Sequence, residues 1–209
     1  MTTHPTGPAA RLPRGRNARG QGGRLRTEIL AAAAALLDET GDESAVTLRA
    51  VARRAGITAP AIYGHFADRQ EVLLAVVQEA FAELTQALGA AGGELRAVCA
   101  AYLGFAADHP QRYRAMFGGL WSARRAVDDA AITPAQATGL GQDALAVLVA
   151  ALEEEVCTGS STSTDPTADA VALWLGLHGL AHQRAVAPEF PWPPGIADRL
   201  VASLARLTA

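Results

Sequence analysis

The sequence contains no lysine, so all 18 of its basic residues are arginine. This absence is typical of a coding bias and predicts no function. Cysteine is also scarce: Cys99 and Cys157 fall on predicted helices, and neither belongs to a close-spaced motif. Disulfide-stapled scaffolds and zinc knuckles depend on several paired or closely spaced cysteines. The cysteine content therefore argues against both of these classes.

Long hydrophobic segments are missing as well. The longest apolar stretch, Val171–Leu180, is far short of the roughly 20 residues that cross a bilayer. No apolar stretch near residue 1 resembles a signal peptide. We expect a soluble, cytoplasmic protein that has no membrane partner.

Catalytic motifs are the third absence. The sequence has no glycine-rich phosphate loop, no GxSxG nucleophile turn and no cysteine–histidine pair at a telling spacing. We therefore expect neither an enzyme nor a bound cofactor.

The residues that are present favour helices. Half of the 209 residues are hydrophobic, which suffices for a packed core in one or two domains. Alanine dominates, and runs of valine, isoleucine and threonine are sparse, so helix is favoured over strand. No strand pattern or internal repeat is evident, and the sequence predicts an all-α fold.

Charge is distributed unevenly along the chain. Residues 1–69 contain ten arginines and six acidic residues, a net charge of +4, whereas residues 70–209 have a net charge of −7. This asymmetry suits a chain that presents one end to a polyanion, although uneven surfaces are also common. Residues 1–23 are rich in Pro, Gly and Arg and are predicted to form a disordered arm. The arm either contacts phosphates without sequence preference or has no role.

The region from residue 24 to residue 88 is predicted to contain three short helices and a long one. Apolar residues at helical spacing mark the first helix, Arg24–Thr40, and Gly41 follows it as a stop. Asp68 and Glu71 have the spacing of a capping box that opens the long fourth helix.

The two helices between them form a helix-turn-helix pattern over residues 47–66. Thr47 is the predicted N-cap of a helix over Leu48–Ala55. Thr58 is the predicted N-cap of a shorter helix that tolerates Pro60 in its first turn. In such a pair the second helix enters the major groove of DNA and the first crosses the backbone. The pattern therefore predicts a DNA-binding domain.

Residues 89–209 are predicted to form a second domain from further helices. Two of these helices have apolar stripes, made by Leu95, Val98, Cys99, Tyr102 and Phe105 in one and by Leu145, Leu148, Val149, Leu152 and Val156 in the other. The stretch Val171–His182 is apolar on nearly every side, so it needs more cover than one small domain provides. We expect Pro166–Ala185 and Ile196–Leu207 to pair with the same helices of a second copy in a homodimer.

The segment Val46–Arg69, VTLRAVARRAGITAPAIYGHFADR, resembles the signature of the TetR family of transcription regulators. The pattern has a threonine near a helix start, small residues between two helices, Gly-Ile at the turn, a Tyr-x-x-Phe pair and a basic residue opening helix four. The matching residues are Thr47, Ala52, Ala55, Gly56, Ile57, Tyr63, Phe66 and Arg69. The C-terminal part is more weakly similar to a subgroup named for a Trp-His-Gly motif, and its matching residues are Trp174, His178 and Gly179.

This resemblance implies which residues contact DNA. Arg49, in the first turn of the second helix, is placed either to read guanine through two hydrogen bonds or to contact a phosphate. The third helix begins without a side-chain donor, and Gly64 stands where many relatives have a larger residue, so Tyr63 and DNA shape would add specificity. The implied DNA-contacting residues are Thr47, Arg49, Thr58, Ala59, Pro60, Ala61, Tyr63, Gly64, His65 and Arg69.

The resemblance also implies an effector pocket in the C-terminal domain. Its candidate lining residues are Tyr102, Phe105, Met116, Phe117, Trp121, Trp174 and His178, although aromatic residues at helical spacing more often belong to a core. His178 and His182 lie one helical turn apart, as two ligands in a metal site do. No third ligand is evident nearby and the zincin glutamate is missing between them, so no metal is predicted.

The sequence thus predicts a homodimeric repressor that binds a near-palindromic operator in double-stranded DNA and is released by a small apolar effector. Two alternatives remain open. A small helical enzyme or metal-binding protein would use His178 and His182. A non-specific architectural DNA binder would use the arginine-rich arm.

Overall fold

The computed structural model describes residues 22–117, 123–128 and 132–208 of the chain. These residues form eleven α-helices and no strand, so the predicted all-α fold is confirmed. A short 3-10 helix, Glu43–Ala45, follows the first helix. In chain order the helices are α1 (Gly22–Thr40), α2 (Leu48–Ala55), α3 (Ala59–Ile62), α4 (Arg69–Gly89), α5 (Leu95–Asp108), α6 (Pro110–Phe117), α7 (Ala123–Asp128), α8 (Pro134–Gly139), α9 (Gln142–Cys157), α10 (Pro166–Val186) and α11 (Ile196–Leu204).

The predicted boundaries of α2 are confirmed at both ends. The Thr47 hydroxyl oxygen accepts a hydrogen bond from the Ala50 N–H at 3.1 Å. Gly56 ends the helix in the left-handed conformation, with a φ of 68°. That conformation favours glycine because a Cβ atom would crowd the following carbonyl oxygen. Local sequence signals are therefore enough to define α2.

The predicted N-cap position of Thr58 at α3 is confirmed, but a capping hydrogen bond from its side chain is not formed. A cap side chain normally accepts a bond from the second or third N–H of the helix. Here Pro60 stands second and has no N–H, and the Ala61 N–H donates to the Thr58 carbonyl at 2.9 Å.

The cap of α4 combines two side chains as the sequence predicts, with one difference. The Asp68 carboxylate accepts a hydrogen bond from the Glu71 N–H at 2.9 Å. The Glu71 carboxylate reaches back to the Ala67 N–H at 2.6 Å, one residue before the expected Asp68 N–H. Both bonds satisfy backbone donors that the start of a helix leaves without partners.

Two separate hydrophobic clusters bury α4. Its first half, including Leu73, packs with α1, α2 and α3. Its second half, including Leu84 and Leu88, packs with α5, α9, α10 and α11. Phe81 lies between them and is packed against both clusters. Because one continuous helix belongs to both cores, the two predicted domains are joined by packing as well as by sequence.

The apolar stripe predicted for α5 is confirmed, since all five of its positions are buried. The stripe predicted for α9 is only partly correct. Leu148 and Leu152 are buried there, but Leu145, Val149 and Val156 are partly exposed, and the helix also buries Ala144 and Ala151. Because α9 packs against both α4 and α10, small side chains on its buried side let these helices come close.

The last two helices meet at Gly176 of α10. A Cβ atom there would lie 2.5 Å from a methyl group of Leu204 and 3.1 Å from one of Leu200, so a larger residue would require these leucine side chains to shift. The chain after α11 folds back onto the serine- and threonine-rich loop. There the Ser161 hydroxyl donates to the Ala205 carbonyl at 2.7 Å.

Two stretches are long and apolar enough to cross a membrane by length and composition alone, namely Arg69–Gly89 and Pro134–Cys157. The first is α4, which both hydrophobic clusters cover. The second is divided into α8 and α9 near Gly141, whose φ is 79°. Core helices of soluble proteins meet the same criteria, so these stretches are weak evidence for a membrane segment.

Gly56 and Gly104 give a matched pair of stability tests, because an added Cβ would meet no atom within 4 Å at either position. Gly56 has a positive φ, so Gly56→Ala should lower the free energy of unfolding by about 1 kcal/mol. Gly104 lies inside α5 without a positive φ, so Gly104→Ala should raise it by about 0.5–1 kcal/mol. Urea unfolding followed by circular dichroism measures both changes. Equal effects of the two substitutions would contradict the backbone argument.

Candidate functional site

The first candidate site is the exposed surface of the helix-turn-helix. Arg49, in the first turn of α2, is exposed, and Tyr63, at the end of α3, has 60% of its surface exposed. The turn between the helices is fixed by the Ile57 N–H, which donates to the Ala52 carbonyl at 3.0 Å. An arginine and a tyrosine hydroxyl are therefore held on neighbouring helices of a rigid turn.

The predicted residues around α3 divide by burial. Pro60 and Gly64 are exposed, as is Thr58, whereas Ala59, Ala61 and His65 are partly buried. Ile62 and Phe66 are buried and attach this segment to the first hydrophobic cluster. The Arg26 guanidinium lies 5.0 Å from the centre of the Phe66 ring and adds a cation–π contact. The exposed part of α3 thus presents small side chains and backbone.

Arg69 has partners within the protein, which the sequence did not indicate. Its Nε donates to the Val46 carbonyl at 2.9 Å, and its Nη2 donates to the Glu43 carbonyl at 2.5 Å. These bonds connect the start of α4 to the segment before α2. Two of the five N–H donors of the guanidinium are therefore committed within the protein, and a phosphate contact by Arg69 stays a prediction that these internal bonds do not favour.

Arg53 is a candidate that sequence reasoning missed. It is exposed and follows Arg49 by four residues, so both side chains lie on one face of α2. Among the described residues, no ion pair holds either of them. By contrast, Arg54 on the same helix is bound to Glu39 through two hydrogen bonds of 2.6 and 2.7 Å. The spacing of four residues was the signal available in the sequence.

The second candidate site is a chain of hydrogen bonds within the C-terminal domain. The Trp174 indole N–H donates to the Tyr102 hydroxyl at 3.1 Å. The hydroxyl oxygens of Tyr102 and Tyr113 lie 3.0 Å apart, and the Tyr113 hydroxyl lies 2.7 Å from Nδ1 of His178. We call these four residues the polar chain. It joins α5, α6 and α10, and it includes three of the residues predicted from the sequence together with Tyr113, which was not among them.

Burial sets the ionisation of the polar chain. Loss of solvent raises the pKa of Tyr113, and the neighbouring Tyr102 hydroxyl raises it further. Burial likewise raises the pKa of Tyr102. Burial also lowers the pKa of His178, and the nearby His182 lowers it further. All of these shifts favour neutral side chains at neutral pH.

Aromatic rings surround the exposed end of the polar chain. The Phe117 ring centre lies 4.7 Å from that of His178 and 5.5 Å from that of Phe81, which it meets edge to face. Of the other predicted lining residues, Phe105 and Met116 are buried in the second cluster, as core residues are. Trp121 lies outside the described residues, as do residues 1–21 of the predicted arm.

A cavity of about 370 Å³ lies beside this aromatic group. Phe81 and Gly141 line it, and a Cβ atom on Gly141 would lie 2.8 Å from the rings of both Phe81 and Trp174. The remaining lining residues come from α4, α8 and α9 and the turn between the last two; they are Gln78, Ala82, Thr85, Gln136, Gly139, Leu140 and Asp143. Gly141 therefore lies between the cavity and Trp174, but no residue of the polar chain lines the cavity, and its lining is not the set predicted from the sequence.

The described residues offer little support for a metal or thiol site. The rings of His178 and His182 are 6.4 Å apart, and no group of three or more His, Cys, Asp or Glu side chains is assembled within the described ranges. Burial raises the pKa of Cys99 to about 12, so its thiol is poorly suited to act as a nucleophile.

The helix α6 contacts both parts of the molecule. Arg112 pairs with Glu83 of α4, and its Nε lies 3.6 Å from a carboxylate oxygen of Asp38 on α1. The next residue, Tyr113, belongs to the polar chain. A helix of two turns therefore carries one side chain directed at the DNA-binding half and another within the C-terminal core.

Comparison with family models assigns both halves of the chain. The model described as bacterial regulatory proteins, tetR family, matches residues 29–76. The model described as tetracyclin repressor-like, C-terminal domain, matches residues 95–207, which is more than half of the chain. This description does not identify the Trp-His-Gly subgroup, so that finer assignment stays a prediction. A comparison with curated proteins gives no match.

Solved structures agree with the family models. A protein of unknown function from Rhodococcus sp. RHA1 is 26% identical with a TM-score of 0.68, and the alignment covers 90% of this chain and 95% of that one. SmeT in complex with triclosan is 27% identical with a TM-score of 0.61 and coverage of 86% and 91%. A regulatory protein of the tetR family from Rhodococcus RHA1 shares the fold at 20% identity, with a TM-score of 0.61 and coverage of 88% and 96%. The chain belongs to the TetR family of DNA-binding transcription regulators.

Proposed function

We propose that this regulator is a cytoplasmic homodimer that represses transcription from a near-palindromic operator and is released by a small apolar effector. The proposal rests on the exposed Arg49 and Tyr63 of the helix-turn-helix. The helix that follows this motif, α4, is buried in part in the C-terminal core. The proposal adds the operator, the dimer and the effector to the family assignment.

DNA reading is proposed to rest mainly on α2. Arg49 presents a planar guanidinium that can form two hydrogen bonds to one guanine. Arg53, one turn later, is proposed to contact a phosphate. Because α3 presents Pro60 and Gly64 and no hydrogen-bonding side chain before Tyr63, its backbone can approach the groove closely. Specificity would then include the shape of the DNA as well as base contacts.

The dimer interface is proposed to use one face of α10. Val171, Leu175 and Val186 fall within a narrow sector of this helix, and they are 39%, 67% and 64% exposed. Large apolar side chains in one stripe favour association over contact with water. The stripe is on the helix whose opposite side packs in the second cluster, so pairing would cover the apolar stripe that a single chain leaves exposed.

The effector is proposed to bind in the C-terminal domain near the polar chain. SmeT, which shares this fold, forms a complex with triclosan. In this chain the aromatic rings around His178 and the adjacent cavity support a small apolar ligand. The ligand would release DNA by binding better to a conformation whose two recognition helices are wrongly spaced.

Operator binding gives the first functional prediction. Footprinting on the DNA around the gene for this protein should give a discrete, symmetric protection. Arg49→Ala should weaken operator binding by roughly 5- to 150-fold, as loss of a bidentate base contact does. The footprint should be lost in both Arg49→Ala and Tyr63→Ala. Arg54→Ala is the control, because its guanidinium is already bound to Glu39, and it should retain the footprint. Diffuse protection untouched by these changes would instead favour a non-specific DNA binder.

A second prediction separates Arg69 from Arg49. Arg69→Met removes two charged hydrogen bonds to backbone carbonyls, so the free energy of unfolding should fall by about 1–3 kcal/mol. Arg49→Ala, at an exposed position, should change it by less than about 0.5 kcal/mol. Urea unfolding at one fixed protein concentration gives both values. Unchanged stability in Arg69→Met would make Arg69 a candidate DNA contact again.

A third prediction concerns the dimer. Leu175→Arg places a charge in the centre of the proposed stripe and should give a monomer of 21.6 kDa at micromolar concentration in sedimentation velocity. Ala100→Arg adds the same charge at an exposed position of α5 and should leave the dimer intact. A monomer without any substitution would contradict the dimer, and a dimer of Leu175→Arg would contradict this face.

A further inference from the structure

The polar chain has a direction that its chemistry determines. The Trp174 indole N–H is a donor only, so the Tyr102 oxygen must accept that bond. Each tyrosine hydroxyl has one proton to donate, and Nδ1 of a neutral histidine either donates or accepts. Tyr102 is fully buried and Tyr113 is 6% exposed, so an unused hydroxyl proton would lose its hydration without replacement.

Only one arrangement uses every proton among the described residues. In it Tyr102 donates to Tyr113, and Tyr113 donates to Nδ1 of His178. If the His178 Nδ1–H donated instead, the proton of either Tyr102 or Tyr113 would have no acceptor. The polar chain therefore fixes His178 with Nδ1 as an acceptor and the proton on Nε2.

The polar chain leaves the Nε2–H of His178 as a hydrogen-bond donor whose position is fixed. Within the described part of the chain, no group accepts a hydrogen bond from it. The imidazole is half-buried, its Nδ1 edge is occupied by Tyr113, and its ring contacts Phe117. Burial and His182 lower its pKa, which agrees with a neutral ring. A fixed donor beside an aromatic face matches a flat ligand that carries an acceptor.

The surroundings also limit the charge of such a ligand. In the described ranges the partners of the polar chain are neutral hydroxyl, indole and imidazole groups, and the contacting rings are Phe117 and, beyond it, Phe81. Within the described ranges, no ion pair includes a residue of the polar chain. Beside His178 a charged ligand would lose hydration without gaining an opposite charge, whereas the adjacent cavity has one carboxylate, Asp143, in its lining.

We infer that the effector is an uncharged, planar aromatic molecule whose carbonyl or ether oxygen, or ring nitrogen, accepts a hydrogen bond from Nε2–H of His178. Tyr113 and its partners act as positioning residues that hold the imidazole in this tautomer. The inference rests on the proposed function, because it names the ligand class of the proposed effector site.

The tautomer is tested first, on the full-length protein labelled with ¹⁵N. Long-range ¹H–¹⁵N correlation spectra distinguish the two neutral forms, and the spectrum of His178→Phe identifies the signals of this residue. The expected form has the proton on Nε2. Tyr113→Phe should abolish the fixed form and give averaged nitrogen shifts, because the phenyl ring keeps the packing but removes the donor. A proton on Nδ1 in the unsubstituted protein would overturn the inference.

The ligand class is tested with matched probes. Fluorenone and fluorene share one planar skeleton, but only fluorenone has a carbonyl acceptor. Equilibrium dialysis should show that fluorenone binds at least tenfold more tightly than fluorene. N-methylacridinium, a planar cation of similar size, should bind more weakly than fluorenone. Equal binding of fluorenone and fluorene, absence of binding by both, or tighter binding of the cation would each overturn the inferred class.

Variants assign the preference to the donor. His178→Phe should remove the preference for fluorenone over fluorene, and Tyr113→Phe should reduce it several-fold. His182→Gln, one turn along the same helix, should leave the preference unchanged. A preference that survives His178→Phe would overturn the role of this histidine. The operator footprint of the unliganded protein is measured separately, so its loss would reject the proposed function without affecting the ratio between the probes.

Discussion

The simultaneous burial of α4 in two hydrophobic clusters is the constraint on which the rest of the structure depends. Leu73 at one end of the helix and Leu84 and Leu88 further along are almost fully buried, each among different helices. Close-packed interiors transmit displacement because their side chains have little free volume. The orientation of the helix-turn-helix is therefore tied to the packing of the C-terminal core, and neither half can reorient without repacking the other.

A second connection between the halves runs through α6. Arg112 pairs with Glu83 and lies close to Asp38, and the adjacent Tyr113 is hydrogen-bonded to His178. In the proposed mechanism, a ligand beside His178 acts on a helix that also contacts α1. Such a ligand shifts the equilibrium only by the difference between its affinities for the two conformations. In that mechanism the contacts of α6 with α1 and α4 are the interactions that would differ between the two conformations.

Sequence reasoning succeeded where the determining interactions are local. Thr47 and Gly56 act within one turn of α2, so both ends of that helix could be predicted. The role of Arg69 depends on carbonyl groups more than twenty residues earlier, and Tyr113 meets His178 across 65 positions of the sequence. Neither partner leaves a periodic signal. The buried face of α9 differs from the predicted stripe because this helix packs against α4 and α10 at once. Hydrophobic spacing alone does not encode such packing.

Because the side chains of α3 are small, the proposed DNA recognition would depend mainly on α2 and on the backbone of α3. Ala59, Pro60 and Ala61 offer a groove only apolar contact, such as contact with a thymine methyl group. In the proposed complex, the small side chains of α3 would permit close approach, and close approach would let the exposed guanidinium groups of Arg49 and Arg53 reach the DNA together. Direct reading of bases and sensitivity to DNA shape would then be coupled, because the arginines would reach their positions only on a groove that accepts α3. Discrimination by this surface would therefore depend on base pairs that no side chain contacts.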